Sequence, residues 1–194
     1  YWLPEGGAQT LALKGVAELI EEITIEYNLL CVACGTGTTL AGLITAVNKN
    51  VQVLGFAALK HAEFLNHDVN NLLPYPYSNW QINQNYHFGG FAKTNLELMQ
   101  FIQTFKQLHN IELEPIYTGK MLYGLYNLIK QGQFDGKRII AIHTGGLQGN
   151  RGFNDNVDDP KPDYYNTDDC HNMDDDNHVA NHYNDHANVV YNKA

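Results

Sequence analysis

At 194 residues, 44% of them hydrophobic, the chain is long enough for one well-formed core or two small ones and has a soluble globular composition. No run of about 20 apolar residues occurs, so no membrane span is expected. The net charge of −9 is uneven: residues 1–153 carry 10 basic and 11 acidic groups, residues 154–194 carry 2 and 10. Nowhere do Lys and Arg cluster as phosphate-backbone binding requires, so a nucleic-acid partner is excluded. Three cysteines, Cys31, Cys34 and Cys170, cannot form a paired framework, and the setting expected from them is cytoplasmic. The N-terminus shows no initiator Met, basic n-region or apolar h-region, so the chain reads as one that begins mid-protein.

In chain order, Val16, Leu19, Ile20, Ile23 and Tyr27 mark one face of an amphipathic helix. Leu29 to Ala33 and Val51 to Phe56 are apolar, β-rich runs on either side of a second helical pattern, which predicts a βαβ unit with a buried parallel sheet. A helix around His61 to Leu73 should end at Pro74 and Pro76. Leu96, Met99, Ile102, Phe105 and Leu108 give another helix, and Met121 to Lys130 one more. The last strand, Arg138 to His143, runs into Thr144-Gly145-Gly146. Such alternation predicts an α/β fold with an open, doubly wound, mostly parallel sheet and helices on both faces, over residues 1–153. From 154 to 194 the sequence is a low-complexity Asp/Asn/His tail that cannot bury enough apolar surface to offset its ordering entropy, and disorder is expected.

One segment carries chemistry. Cys34-Gly35-Thr36-Gly37-Thr38-Thr39 follows a strand directly and opens a helix. Glycines let the backbone approach a ligand, threonine hydroxyls add hydrogen bonds, and the helix start supplies unpaired N–H groups at a positive dipole end. An anion is expected there, against the plainer alternative of an ordinary Gly-rich βα turn. A nucleoside-triphosphate loop would need Gly-Lys-Ser/Thr, and this loop has no Lys. A dinucleotide fingerprint would want Gly where Leu40 stands and an acid near Gly55 to Ala58. What remains is a small phosphorylated cofactor held mainly by its phosphate.

Four blocks in order make the segment more specific: Pro4-Glu5-Gly6-Gly7-Ala8, Ala33 to Gly42, Glu114-Pro115-Ile116-Tyr117-Thr118-Gly119-Lys120, and Ile142 to Gly149. Together they resemble the pyridoxal-phosphate enzymes of the 1-aminocyclopropane-1-carboxylate deaminase and D-cysteine desulfhydrase family, with a tryptophan-synthase-β-like fold, of which residues 1–153 match the C-terminal portion. The resemblance implies pyridoxal 5′-phosphate as cofactor and a small amino acid as substrate. It implies that Gly35, Thr36, Gly37, Thr38 and Thr39 hold the cofactor phosphate, that Tyr117 lies beside the substrate as the catalytic residue, and that Thr144 lies near the pyridine nitrogen. Thr118 is expected at the cofactor too. Ring-opening deaminases of the family carry Glu there and desulfhydrase-like members Thr, so D-cysteine-type β-elimination to pyruvate, ammonia and sulfide is preferred. Ring-opening deamination and a non-catalytic module binding a phosphorylated ligand are the alternatives, and a homodimer is left open. The Schiff-base lysine of the family precedes the first matching block, and none of Lys14, Lys60, Lys93 and Lys120 sits in its motif, so this chain alone is expected to be inactive. Phe88 stands where some relatives have a substrate-facing Tyr.

Other candidates carry a plainer reading. Cys31-Val32-Ala33-Cys34 has the spacing of a redox or metal pair but lacks a second pair, so strand and loop cysteines are expected. His143 is expected to be a satisfied structural imidazole. Lys120 is read as either capping its turn or reaching a substrate carboxylate. In the tail, His178, His182 and His186, with Asp185, could chelate a metal only on a helix, which their Asn and Asp neighbours disfavour; no metal is expected.

Overall fold

The computed structural model describes residues 2–154 and 189–193. The expected disorder of the tail between 155 and 188, Cys170 and the three tail histidines lie outside the described residues. The elements run α1 (Thr10–Glu21), β1 (Leu29–Cys34), α2 (Thr38–Ala46), β2 (Gln52–Ala57), α3 (Phe64–Leu72), β3 (Trp80–Asn83), α4 (Leu96–His109), α5 (Thr118–Lys130), β4 (Ile139–His143) and β5 (Val189–Lys193). Short helical turns at Glu5–Gly7, Leu147–Asn150 and Arg151–Asn154 flank the ends of this series.

All strand pairings are parallel, in the order β3-β2-β1-β4-β5. β1 is central, with Leu30 opposite Val53 of β2 on one side and Ile140 of β4 on the other. Its residues alternate between two cores, as the period of two requires. Leu30, Val32 and Cys34 pack with residues of α1, α2 and α3 on one face. Leu29 and Cys31 pack with Phe105 of α4 and Met121, Leu122 and Leu125 of α5 on the other. This is the doubly wound arrangement the alternating pattern predicts.

Local chemistry explains most boundaries. Asn95 caps α4, its side chain accepting from the Leu98 amide at 2.9 Å, and Asn110 ends the helix in left-handed backbone at φ 53°. α3 stops before Leu73, which a following Pro74 pushes toward extended backbone. α1 ends at Glu21, earlier than its apolar face suggests, because Ile23-Thr24-Ile25 is a β-branched run. Ile23 and Tyr27 still pack against the same core from the connecting segment, so the pattern reports the burial correctly and the helix length too generously. Two strands escape the pattern. β3 has no fully buried residue, and β5 adds five residues beyond the strand expected to be last, using Val189, Val190 and Tyr191 beside β4.

Candidate functional site

Strand order reverses between β1 and β4, since β2 and β3 lie on one side of β1 and β4 on the other. In an open α/β sheet such a reversal leaves a crevice beyond the carboxyl ends of the strands. A cavity of about 930 Å³ opens there. The end of β1 and the start of α2 form its floor: Ala33, Gly35, Thr36, Gly37, Thr38, Thr39 and Leu40. Thr144, just past β4, and Tyr117, just before α5, close one side; Pro4, Glu5, Gly6 and Ala8 close another. The rest of the wall is Leu59, Phe64, Asp68, Asn71 and Leu72, with Phe91.

The floor is a helix terminus without a cap. Gly37 stands at the N-cap of α2 with φ 80° and no side chain caps the helix. Its first intrahelical bond runs from the Ala41 amide to the Gly37 carbonyl at 2.9 Å, so the amides of Thr38, Thr39 and Leu40 come before the ladder begins. Glycine is required at 37 twice over: the backbone is left-handed, and a Cβ would stand 2.5 Å from Val69 Cγ2 of α3. The hydroxyls of Thr36 and Thr38 lie 3.1 Å apart and hydrogen-bond each other beside these amides. Gly6, also left-handed, brings the N-terminal segment against Thr36 so closely that a Cβ would collide with its hydroxyl.

A second helix start meets the cavity with the opposite solution. Glu114 is 1% exposed, and its carboxylate accepts from the amides of Ile116 (2.7 Å), Tyr117 (2.9 Å) and Thr118 (2.5 Å). The Thr118 hydroxyl donates to the same carboxylate at 3.0 Å. The N-terminus of α5 is therefore filled by the chain's own anion. Tyr117 is held between the two helix starts, its ring against Gly35 and edge-on to Phe91, with ring centres 6.0 Å apart. Burial foremost, then the carboxylates of Glu114 and Glu5, raise its phenol above the ordinary 10.0, so it is a proton-bearing donor at neutral pH.

The structure thus gathers Gly35, Thr36, Gly37, Thr38, Thr39, Tyr117 and Thr144 around one cavity. Thr118 is the exception. It is fully buried and absent from the wall, because as the first residue of α5 it turns its hydroxyl inward to Glu114. Phe88 is likewise off the wall, edge-on to Tyr123 at 4.9 Å, while Phe91 three residues later reaches it. Phe91 and the α3 pair Asp68 and Asn71 have no motif; only the spacing of 68 and 71, one helical turn apart, hinted at a shared face. None of Lys14, Lys60, Lys93 and Lys120 lines the cavity. His143 is buried between the Gly145 amide, which donates to Nδ1 at 3.0 Å, and the Glu112 carbonyl, 2.8 Å from Nε2, which fixes the Nε2–H tautomer of a structural imidazole. Cys31 and Cys34 are buried free thiols, and burial pushes both pKa values up, that of Cys34 to about 12. Among the described residues no helix is long and apolar enough to cross a membrane, and no cluster of His, Cys, Asp or Glu could hold a metal ion.

Fold and cavity together define a doubly wound α/β protein with an uncapped helix start at the switch point of its sheet. No established family profile matches the chain, but individual proteins do. It is 30% identical over 171 residues to a putative 1-aminocyclopropane-1-carboxylate deaminase of Pyrococcus horikoshii, covering 81% of this chain and 52% of that protein. It is 29% identical to a bifunctional D-cysteine desulfhydrase/1-aminocyclopropane-1-carboxylate deaminase of Arabidopsis thaliana, over 77% of this chain and 42% of that one. A crystal structure of an ACC deaminase homologue superimposes with a TM-score of 0.69 at 29% identity, covering 79% of this chain and 51% of that one. The chain belongs to the 1-aminocyclopropane-1-carboxylate deaminase and D-cysteine desulfhydrase family, and it spans about half the length of the curated relatives it matches.

Proposed function

We propose that this chain is the cofactor-phosphate and substrate-facing portion of a pyridoxal-phosphate-dependent lyase or deaminase of small amino acids, and that its reaction is D-cysteine-type β-elimination. The observation that carries the reading is the uncapped start of α2 on the cavity floor. The residues present fit a phosphorylated cofactor: three amides ahead of the helical ladder and two paired hydroxyls offer donors to a phosphate, and a cavity of about 930 Å³ leaves room for a ring and a small amino acid beyond it. Pyridoxal phosphate, when bound, supplies an electron sink for the pair released at the substrate's Cα.

The chain's own residues do the rest. Gly35 to Thr39 anchor the phosphate through amides and hydroxyls, without a lysine in the loop. Tyr117, its phenol held protonated, donates a hydrogen bond toward the reacting end of the substrate. Thr144 offers a neutral hydroxyl at the end of β4, and the Thr118 hydroxyl is already committed to Glu114. Neither can hold a ring nitrogen protonated as a carboxylate would, and a weaker sink suits loss of a good thiol leaving group better than opening of a cyclopropane. In the overall reaction the Cα–H and Cβ–S bonds break, sulfide leaves, one water is consumed, and D-cysteine becomes pyruvate, ammonia and hydrogen sulfide. The amine that carries the cofactor is assigned to a part of the protein outside the described residues, because no described lysine lines the cavity. Two buried free thiols agree with a reducing, cytoplasmic setting.

An absorbance titration with pyridoxal 5′-phosphate, followed by borohydride reduction and mass mapping, tests the site. Noncovalent binding displaced by inorganic phosphate is expected; a reduced adduct on Lys120 or Lys14 would overturn the placement of the amine, and no binding would overturn the site. For the full-length protein, pyruvate release from D-cysteine should exceed ring opening of 1-aminocyclopropane-1-carboxylate, and the reverse order would overturn the choice of reaction.

A further inference from the structure

Lys120 is 2% exposed and forms no salt bridge among the described residues. Burying an amine costs several kcal/mol unless its protons find acceptors. Its acceptors are two backbone carbonyls, His87 O at 2.9 Å and Gly90 O at 2.7 Å. Both belong to the irregular segment between β3 and α4, and both already close turns there: the Gly90 amide donates to His87 O at 3.0 Å and the Lys93 amide to Gly90 O at 3.1 Å. Lys120 therefore fastens two successive turns at the carbonyl where each begins. Two acceptors need two N–H donors, which an ammonium and a neutral amine both possess.

The segment needs such a fastening. Phe88, Gly89, Gly90 and Ala92 all take left-handed backbone, with φ of 53°, 95°, 124° and 54°. For the two residues that are not glycine this costs about 1–2 kcal/mol each. The shape is matched to α5, where Lys120 and Tyr123 share a face, and to Tyr117 just before it. Phe88 lies edge-on to Tyr123 at one end, Lys120 grips the middle, and Phe91 lies edge-on to Tyr117 at the other. Phe91 lines the cavity yet is 53% exposed, a large aromatic ring with apolar surface left over for a ligand to cover.

We propose that Lys120 is a positioning residue: it fixes segment 86–93 across α5 so that Phe91 stands beside Tyr117 as an aromatic wall that packs on the flat ring of a phosphorylated ligand. The Gly35 to Thr39 loop holds the phosphate and this wall holds the ring. The assignment of a ring-bearing ligand rests on the function proposed above; the fastening of the segment does not.

The test uses this chain with Lys120→Met, Lys120→Arg, Phe91→Ala and the Lys120→Met/Phe91→Ala pair, at pH 7. Amide hydrogen exchange should rise at least tenfold at residues 88–93 in Lys120→Met with β1 and β4 unchanged, and stay within about threefold of wild type in Lys120→Arg. Affinity for pyridoxal 5′-phosphate should fall about tenfold in Lys120→Met and in Phe91→Ala, with no further loss in the double variant, while affinity for inorganic phosphate stays constant. Unchanged exchange at 88–93, a rise spread over the whole chain, failure of both Lys120 variants to fold, or additive losses in the double variant would each overturn the proposal. If wild type binds neither phosphate nor the cofactor, the proposed function and the ligand-facing role of Phe91 both fall, and the exchange data still decide whether Lys120 holds the segment.

Discussion

The starts of α2 and α5 face the same cavity and obey the same electrostatics, yet they are finished differently. Each presents amides that no helical carbonyl can take. At α5 the Glu114 carboxylate, four residues before Thr118, occupies them and ties down the Thr118 hydroxyl as well. At α2 a left-handed glycine stands at the cap and no side chain does so. One terminus spends its attraction for anions on holding the protein together; the other is left unfilled, and in the function proposed above it takes a ligand's phosphate. A helix start is therefore a binding site only where the sequence declines to fill it.

The contrast can be broken most forcefully at Glu114. Glu114→Ala strips an anion from three amides and from the neighbourhood of a buried lysine, and should cost about 3–5 kcal/mol in urea unfolding; a loss below about 1 kcal/mol would mean that α5 does not depend on its internal anion. Lys120 gives the next largest effect, and a signed one. Burial lowers its pKa from 10.5 to about 8, against the opposing pull of Glu114. Between those values the unfolded chain binds a proton that the folded chain has released, so stability rises with pH across that window. Relative to Lys120→Met, which leaves Glu114, Tyr117, Tyr123 and His87 in place, the wild type should gain about 3 kcal/mol from pH 8 to 10.5 in denaturation midpoints. A flat difference would show that the amine is solvated. Gly37→Ala should be the mildest on the fold, about 2–3 kcal/mol for a left-handed alanine whose Cβ also presses on Val69. Its isothermal titration with inorganic phosphate should nonetheless show at least a tenfold loss, because the turn that aims the α2 amides is altered; unchanged affinity would place the anion elsewhere.

How much of this could be read from the sequence follows from the range of each interaction. β1, the loop and α2 are contiguous, and their apolar run, glycines and threonines announce strand, turn and open helix start without help from the rest of the chain. Tyr117 and Thr144 were reachable through the family's motifs. Phe91, Phe64, Asp68 and Asn71 reach the cavity only because α3 and the segment after β3 fold over it, and no local pattern encodes that. Thr118 was read from its motif position, which is silent on direction; the signal was Glu114 itself, an acid just ahead of a helix start. β3 went unseen because none of its four residues is fully buried, so it lacks the apolar signature of the strands inside.

The setting of the loop from Gly35 to Thr39 bears on how a ligand would arrive. Upstream it is continuous with the central strand of the sheet, and downstream Leu40, Ala41, Leu43 and Ile44 of α2 are wholly inaccessible to water. Such a loop has already surrendered its conformational entropy when the chain folds, so capture of an anion adds little ordering penalty there. The entropy still to be lost lies on the far wall, in the half-exposed ring of Phe91, and adaptation between differently shaped ligands would fall to that wall while the anion seat stays constant.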